Sequence, residues 1–293
     1  MTLIPREITM SSRDDLSASE RLAPSQTLML LEAIDHHFAT HPACRLLILD
    51  EAWRADPHWY PLCQALGAPR VLRESFYQRP WHWLKSDYAA QPFEIELGRP
   101  WRPIKPRGVV YERFDPRLEQ HLTLRLCDAE RDLDRLHQWM QCERVSRFWQ
   151  QNKPREAFSE WLDHRLAEPH RLSLIGELDG EAFGYFELYW APEDVLGEYY
   201  DWQAFDRGLH VLVGEENYRG ARFVDAWLTG LEHYAYLSEP RTDRVVLEPD
   251  AGNERIFRHL ERMGLFSLRE FDLPDKRAML VMGTRYHFFG QVM

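Results

Sequence analysis

The chain has 293 residues, about twice the usual size of one domain, so two domains are expected. Hydrophobic residues make up 44% and charged residues 28%, which excludes wholesale disorder. A net charge of -11 gives no general attraction for phosphate backbones or anionic lipid. Nucleic-acid and membrane-surface roles are therefore set aside, while a local basic pocket for one small polyanion is not. No apolar run reaches the length of a membrane span, and the start lacks the apolar core of a secretory signal, so a cytoplasmic protein is expected. Cys44, Cys63, Cys127 and Cys142 show no metal or redox spacing and read as reduced, mostly buried thiols. Aromatics reach 13%, with 11 Trp, an excess that serves a core or lines a groove for an amphipathic ligand.

Residues 1–25 are polar and patternless and read as a mobile lead-in. Leu28, Leu31, Ile34 and Phe38 predict a helix over 26–41, residues 44–50 a strand, 59–66 a helix and 93–97 a strand. Three prolines and a glycine between Arg99 and Gly108 make a stiff connector. A small N-terminal α/β domain over 26–100, a Pro-rich connector over 101–118 and a second domain over 119–293 follow. In that second domain residues 121–127 alternate as a strand, and Asp128 caps a helix running to Met140. Pro154 opens another helix. Residues 171–178 and 182–190 form a hairpin turned by Asp179-Gly180. An acidic, aromatic loop over 193–202 follows, then a strand over 208–214, a long helix over 220–237, a strand over 244–248, a helix over 253–263, and strands over 265–271 and 278–288. The order from residue 120 is β-α-α-β-β-β-α-β-α-β-β.

Two segments carry chemistry. Val211-Leu212-Val213-Gly214 leads through Arg219-Gly220-Ala221-Arg222 into a helix, whose free amides and two cations suit a phosphate. A plain strand–helix turn with solvent-facing arginines accounts for it equally. Asn253 to Gly264 is a short helix with a glycine stop, and by itself a capped surface helix.

The order of elements, Arg219-Gly220, Asn253 and Gly264 together resemble the GNAT superfamily of acyl-CoA-dependent N-acyltransferases. Arg222 stands where its pyrophosphate loop usually has glycine. The tyrosine common in the last helix, a proposed acid for the leaving thiolate, is replaced by Leu260. Residues 182–190, 200–210, 216–221, 239–243 and 246–249, with Trp139-Met140, Val145, Phe148-Trp149 and His287-Phe288-Phe289, are similar to the siderophore branch, most of all its N-hydroxylysine acetyltransferases. The likeness covers about residues 76–289. It implies a mixed α/β fold, with a central, mostly antiparallel sheet, and no metal. It further implies acetyl-CoA as co-substrate or, for another member, succinyl-CoA. The acceptor it implies is an N-hydroxylated amine, with an amine N-hydroxylase and a siderophore synthetase as the expected pathway neighbours.

The branch's proposed catalytic histidine and carboxylate fall on His210 and Glu248. Val211, Leu212, Val213, Arg219, Gly220, Ala221, Arg222 and Asn253 become the expected acyl-CoA contacts. A hydroxylamine is neutral at pH 7, so it can attack the thioester directly, with His210 as base, Glu248 orienting it, and an amide near Val211 holding the oxyanion. Tyr189, Trp190, Trp202 and Trp149 are expected to wall the acceptor. Asp194, Asp201 or Asp206 either meets its amine or faces solvent; Arg79 and Arg207 are candidates for an α-carboxylate but read first as structural; residues 76–83 either cover the pocket or pack. Three rival readings stand: an N-hydroxycadaverine, N-hydroxyputrescine or N-hydroxyornithine acyltransferase; a non-catalytic CoA-binding module; and a generic small-amine acetyltransferase.

Overall fold

The computed structural model describes residues 8–10, 24–49, 51, 55, 60–86, 93–94 and 99–293. Most of the expected lead-in and part of the strand over 93–97 lie outside these residues. By contact the chain divides into two units, residues 1–82, 114–119 and 293 in one, and 83–113 and 120–292 in the other.

The first unit holds β1 (Ile8–Met10), β2 (Leu46–Leu49) and β3 (Arg70–Leu72), with β1 parallel and β3 antiparallel to β2. Helix α1 (Pro24–Thr40) buries Leu31, Ile34 and Phe38, the stripe that its sequence spacing predicts. Helices α2 (Tyr60–Leu66) and α3 (Arg73–Tyr77) complete it. Buried Tyr77 donates to Asp35 at 2.8 Å, and buried Arg73 donates to the carbonyls of Phe38 and Met293.

After a two-residue pair, β4 (Phe93–Glu94) with β5 (Arg99–Pro100), an eight-stranded sheet dominates the second unit. Its strands are β6 (Val109–Asp115), β7 (Gln120–Leu126), β8 (Arg171–Leu178), β9 (Glu181–Trp190), β10 (Arg207–Val213), β11 (Arg244–Leu247), β12 (Phe266–Asp272) and β13 (Arg277–Thr284). Their order is β12-β13-β11-β10-β9-β8-β7-β6. Neighbours from β7 to β10 pair antiparallel, as does β13 with both β11 and β12, whereas β10 and β11 run parallel. The sheet is mixed and mostly antiparallel, as expected. Residues 109–115, read from sequence as connector, form strand β6.

Asp128 caps α4 (Ala129–Gln141), its carboxylate accepting from the amide of Glu130 at 2.9 Å. Helix α5 (Glu143–Trp149), which no periodicity announced, and α6 (Arg155–Ala167) follow. Leu136, Met140, Phe158 and Leu162 from this group pack with Ile175, Tyr185 and Leu212 of the sheet. Gly214 ends β10 against the Trp139 indole, where an added Cβ would lie 2.0 Å from ring carbons.

Helix α7 (Ala221–Leu237) is buried along most of its length, with Trp227 stacked on Phe186 at 5.1 Å. Phe186 alternates with Glu187, so α7 covers the sheet face opposite Glu187. Helix α8 (Glu254–Arg262) precedes the β12–β13 hairpin. The final strand stops at Thr284 rather than near residue 288, because the Thr284 hydroxyl accepts from His287 at 3.3 Å and opens α9 (Arg285–His287). All four cysteines are free; Cys142, unlike the others, is exposed.

Candidate active site

Strands β10 and β11 share only two paired positions, Arg207 with Val245 and Gly208 with Val246, and then part. The parting leaves strand edges open at the centre of the sheet. A cleft of about 710 Å³ lies there, lined by Trp149, His210, Val211, Leu212, Val213, Glu248 and Asn253 among others. Such openings between strands are where ligands enter mixed sheets.

His210 stands opposite Glu187 in the β9–β10 register, so both side chains share one face. His210 Nδ1 lies 2.8 Å from Glu187 Oε2, and Nε2 is hydrogen-bonded to Glu248 Oε1. The other Glu248 oxygen accepts from the Tyr189 hydroxyl at 2.8 Å. Glu187 is fully enclosed and also takes hydrogen bonds from Tyr185, at 2.9 Å, and from Arg171. Arg171 reaches on to Asp194, which His170 contacts at 3.0 Å.

The electrostatics follow from this packing. Burial works against a charge on His210, but Glu248 and Glu187 outweigh it and hold the imidazole pKa up, at about 9. Burial likewise opposes charge on Glu187, and His210 and Arg171 bring its pKa down to about 2. At neutral pH the centre is an imidazolium between two carboxylates. Its side chain is 25% exposed, toward the cleft.

The other expected residues separate by place. Trp149 sits edge-on to the His210 ring, with centroids 6.2 Å apart. Tyr189 is buried beneath the pair, its ring 4.7 Å from that of His210 and its hydroxyl on Glu248, and it is not part of the cleft lining. Trp190 corrects the expected wall. Adjacent strand residues point to opposite faces, and Trp190 is buried on the far one, held by Arg102 and Arg207, each 4.0 Å from its ring. Arg207 is thereby buried away from the cleft. Asp201 and Trp202 are exposed and do not line it. Asp194 does line it, already neutralised by Arg171, while Asp206 is buried on Arg244, Tyr200 and Gln203. Arg79 belongs to the first unit.

Along the phosphate-suited turn, Gly220 has φ 114°, a conformation that glycine alone adopts readily, and opens α7. Ala221 and Arg222 are exposed in its first turn, with Arg222 over the Phe223 ring at 4.6 Å. Arg219 faces the cleft and pairs with Glu216 at 3.0 Å. Arg144 holds the turn from below, donating to the carbonyls of Val213 at 2.7 Å and Gly214 at 2.8 Å. Asn253 begins α8 with its side chain unused for capping. Leu260 is buried and supplies no acid. Sequence reasoning missed Glu187 and Arg171; the available signal was an acid in the middle of an otherwise apolar strand.

A family model described as an acetyltransferase (GNAT) domain matches residues 128–273. The N(6)-hydroxylysine O-acetyltransferase of Escherichia coli is 40% identical over 270 residues, covering 90% of this chain and 85% of that protein. The N(5)-hydroxyornithine:cis-anhydromevalonyl coenzyme A-N(5)-transacylase of Beauveria bassiana is 40% identical over 196 residues, 65% of this chain but 43% of its own length. Among solved structures, an uncharacterized protein of Bacillus halodurans aligns with TM-score 0.61 and 28% identity, over 64% of this chain and 96% of that one. An aminoglycoside acetyltransferase AAC(6')-Ib in complex with coenzyme A shares the fold at TM-score 0.52 and 23% identity, over 57% and 96%. The fold and these matches define an acyltransferase of the GNAT class, and the chain belongs to the GNAT acetyltransferase family. Within that family it is similar to proteins named for acting on hydroxylated lysine and ornithine.

Proposed function

We propose that the protein moves the acyl group of an acyl-CoA, acetyl-CoA first, onto the hydroxylamine nitrogen of N-hydroxylysine, forming a hydroxamate for siderophore biosynthesis. One observation carries this reading: a hydrogen-bonded His210–Glu248 pair in the cleft where β10 and β11 part. Its chain is similar over 90% of its length to a protein named for N(6)-hydroxylysine. That name puts the acetyl group on oxygen. We assign nitrogen because it is the better nucleophile of a neutral hydroxylamine, and because the Beauveria relative is named as an N(5)-transacylase.

Sequence alone favoured His210 as base. With both ring nitrogens held by carboxylates and the ring charged at pH 7, the proton acceptor in this reading becomes Glu248. The hydroxylamine nitrogen attacks the thioester carbonyl carbon and a C–N bond forms. Its N–H proton passes to Glu248, which the imidazolium keeps in place. The C–S bond then breaks and the thiolate leaves as the thiol, taking that proton. Trp149 shields one side, the Val211 amide serves the oxyanion, and the Arg219–Gly220 turn and Asn253 hold the CoA.

The test is thiol release from acetyl-CoA and succinyl-CoA with N-hydroxylysine, N-hydroxycadaverine, N-hydroxyputrescine, N-hydroxyornithine and plain lysine. Strong turnover on a hydroxylamine with little on lysine is expected. Equal turnover on plain amines would support the generic amine reading, and CoA binding without turnover the binding-module one.

A further inference from the structure

We infer that Lys276 forms a carboxylate subsite in the cleft, one that takes the α-carboxylate of the acceptor and so selects an N-hydroxylated amino acid over an N-hydroxylated diamine. The inference rests on the acyltransferase reading above and names what that site uses to choose its acceptor.

Lys276 lies in the turn between β12 and β13, just inside the last pair, Asp272 with Arg277. The Leu273 amide donates to the Lys276 carbonyl at 2.9 Å, and Pro274 restricts the turn further. The Leu273 side chain packs on the cluster of Tyr189, Val246 and Leu280, so the turn is anchored to the strands beneath the site. Two backbone bonds clamp the hairpin to the residues that follow Glu248. Ala251 N donates to Arg277 O, and Met279 N to Pro249 O, each at 2.9 Å. The ammonium is thereby brought to the Glu248 side of the cleft, half-buried in its lining.

Lys276 is set apart by its place: it lies close enough to Glu248 for its charge to help hold that carboxyl below its usual pKa, whereas Arg147, the other cleft cation with no ion pair among the described residues, is exposed over the Phe148 ring. Arg171 and Arg165 are committed to Glu187, Arg144 to the Val213 and Gly214 carbonyls, and Arg219 to Glu216. Lys276 has no ion pair or side-chain hydrogen bond among the described residues. A cation held beside the reacting groups attracts an anion at the far end of the acceptor. It also repels the distal ammonium of a diamine, so it discriminates in both directions. Arg79 and Arg207, the cations that sequence offered for this task, do not line the cleft.

The test compares wild type, Lys276→Met and Lys276→Glu in steady-state kinetics, with N-hydroxylysine and N-hydroxycadaverine as acceptors and acetyl-CoA and succinyl-CoA as donors. Thermal melting confirms that the variants fold. Lys276→Met is expected to raise KM for N-hydroxylysine roughly 10-fold or more, with kcat nearly unchanged and KM for N-hydroxycadaverine unchanged or lower. Lys276→Glu is expected to make the diamine the better acceptor. Equal losses on both acceptors would overturn the subsite, since the lysine would then serve Glu248. A loss confined to succinyl-CoA would overturn it in favour of the donor's carboxylate. A wild type that acylates neither acceptor would overturn the acyltransferase reading itself.

Discussion

Replacing His210 with alanine is expected to lower kcat about 100- to 10,000-fold, the usual range for losing acid–base catalysis, because Glu248 accepts the transferred proton only while His210 holds it in place. The ring touches both Glu187 and Glu248, so its loss leaves Glu248 with the Tyr189 hydroxyl but without the imidazolium that holds its other oxygen. Stopped-time thiol release with saturating acetyl-CoA measures the effect, and activity within a few-fold of wild type would contradict the assignment. The pH profile separates the two roles open to the ring. Its pKa is raised from 6.5 to about 9, so the stabilisation that the imidazolium provides is complete below 6.5 and lost as pH rises through about 9. Activity that depends on the imidazolium falls through the same window. A neutral imidazole base would make activity rise there instead.

Glu187→Ala carries the largest expected cost to stability, about 3–5 kcal/mol by denaturant unfolding, because it removes one side of a buried ion pair. Glu187 is fully enclosed and joins Arg171, His210 and Tyr185. Glu187→Gln keeps the shape and costs less. Both variants take away one of the two carboxylates that raise the His210 pKa, so the alkaline limb should move to lower pH. A limb that stays in place while stability falls would make Glu187 a packing residue only.

Much of this was legible because local rules decide it. Asp179 and Gly180 both take positive φ, 48° and 83°, as a tight hairpin demands, and that turn fixes the β8–β9 pairing. Asp128 caps its helix, and the apolar strand before Arg219-Gly220 runs into α7 as its residues suggest. His210 and Glu248 meet because β10 and β11 run parallel from a common start. Features that depend on register or on short elements escaped. Glu187 meets His210 only through the antiparallel pairing of β9 and β10, which spacing along one strand cannot reveal. Helix α5 has seven residues, too few to display a period, yet it delivers Trp149. Trp190 was joined to Tyr189 by sequence and parted from it by the pleat. Lys276 sits in a turn, where a lysine ordinarily reads as solvated surface.

The most direct test of the central claim is the site of acylation. The product of N-hydroxylysine and acetyl-CoA, purified and examined by carbon NMR and by its colour with ferric iron, should be an N-acyl hydroxamate that chelates the metal through two oxygens. An O-acetyl hydroxylamine, or acetyl on the α-amine, would contradict the account.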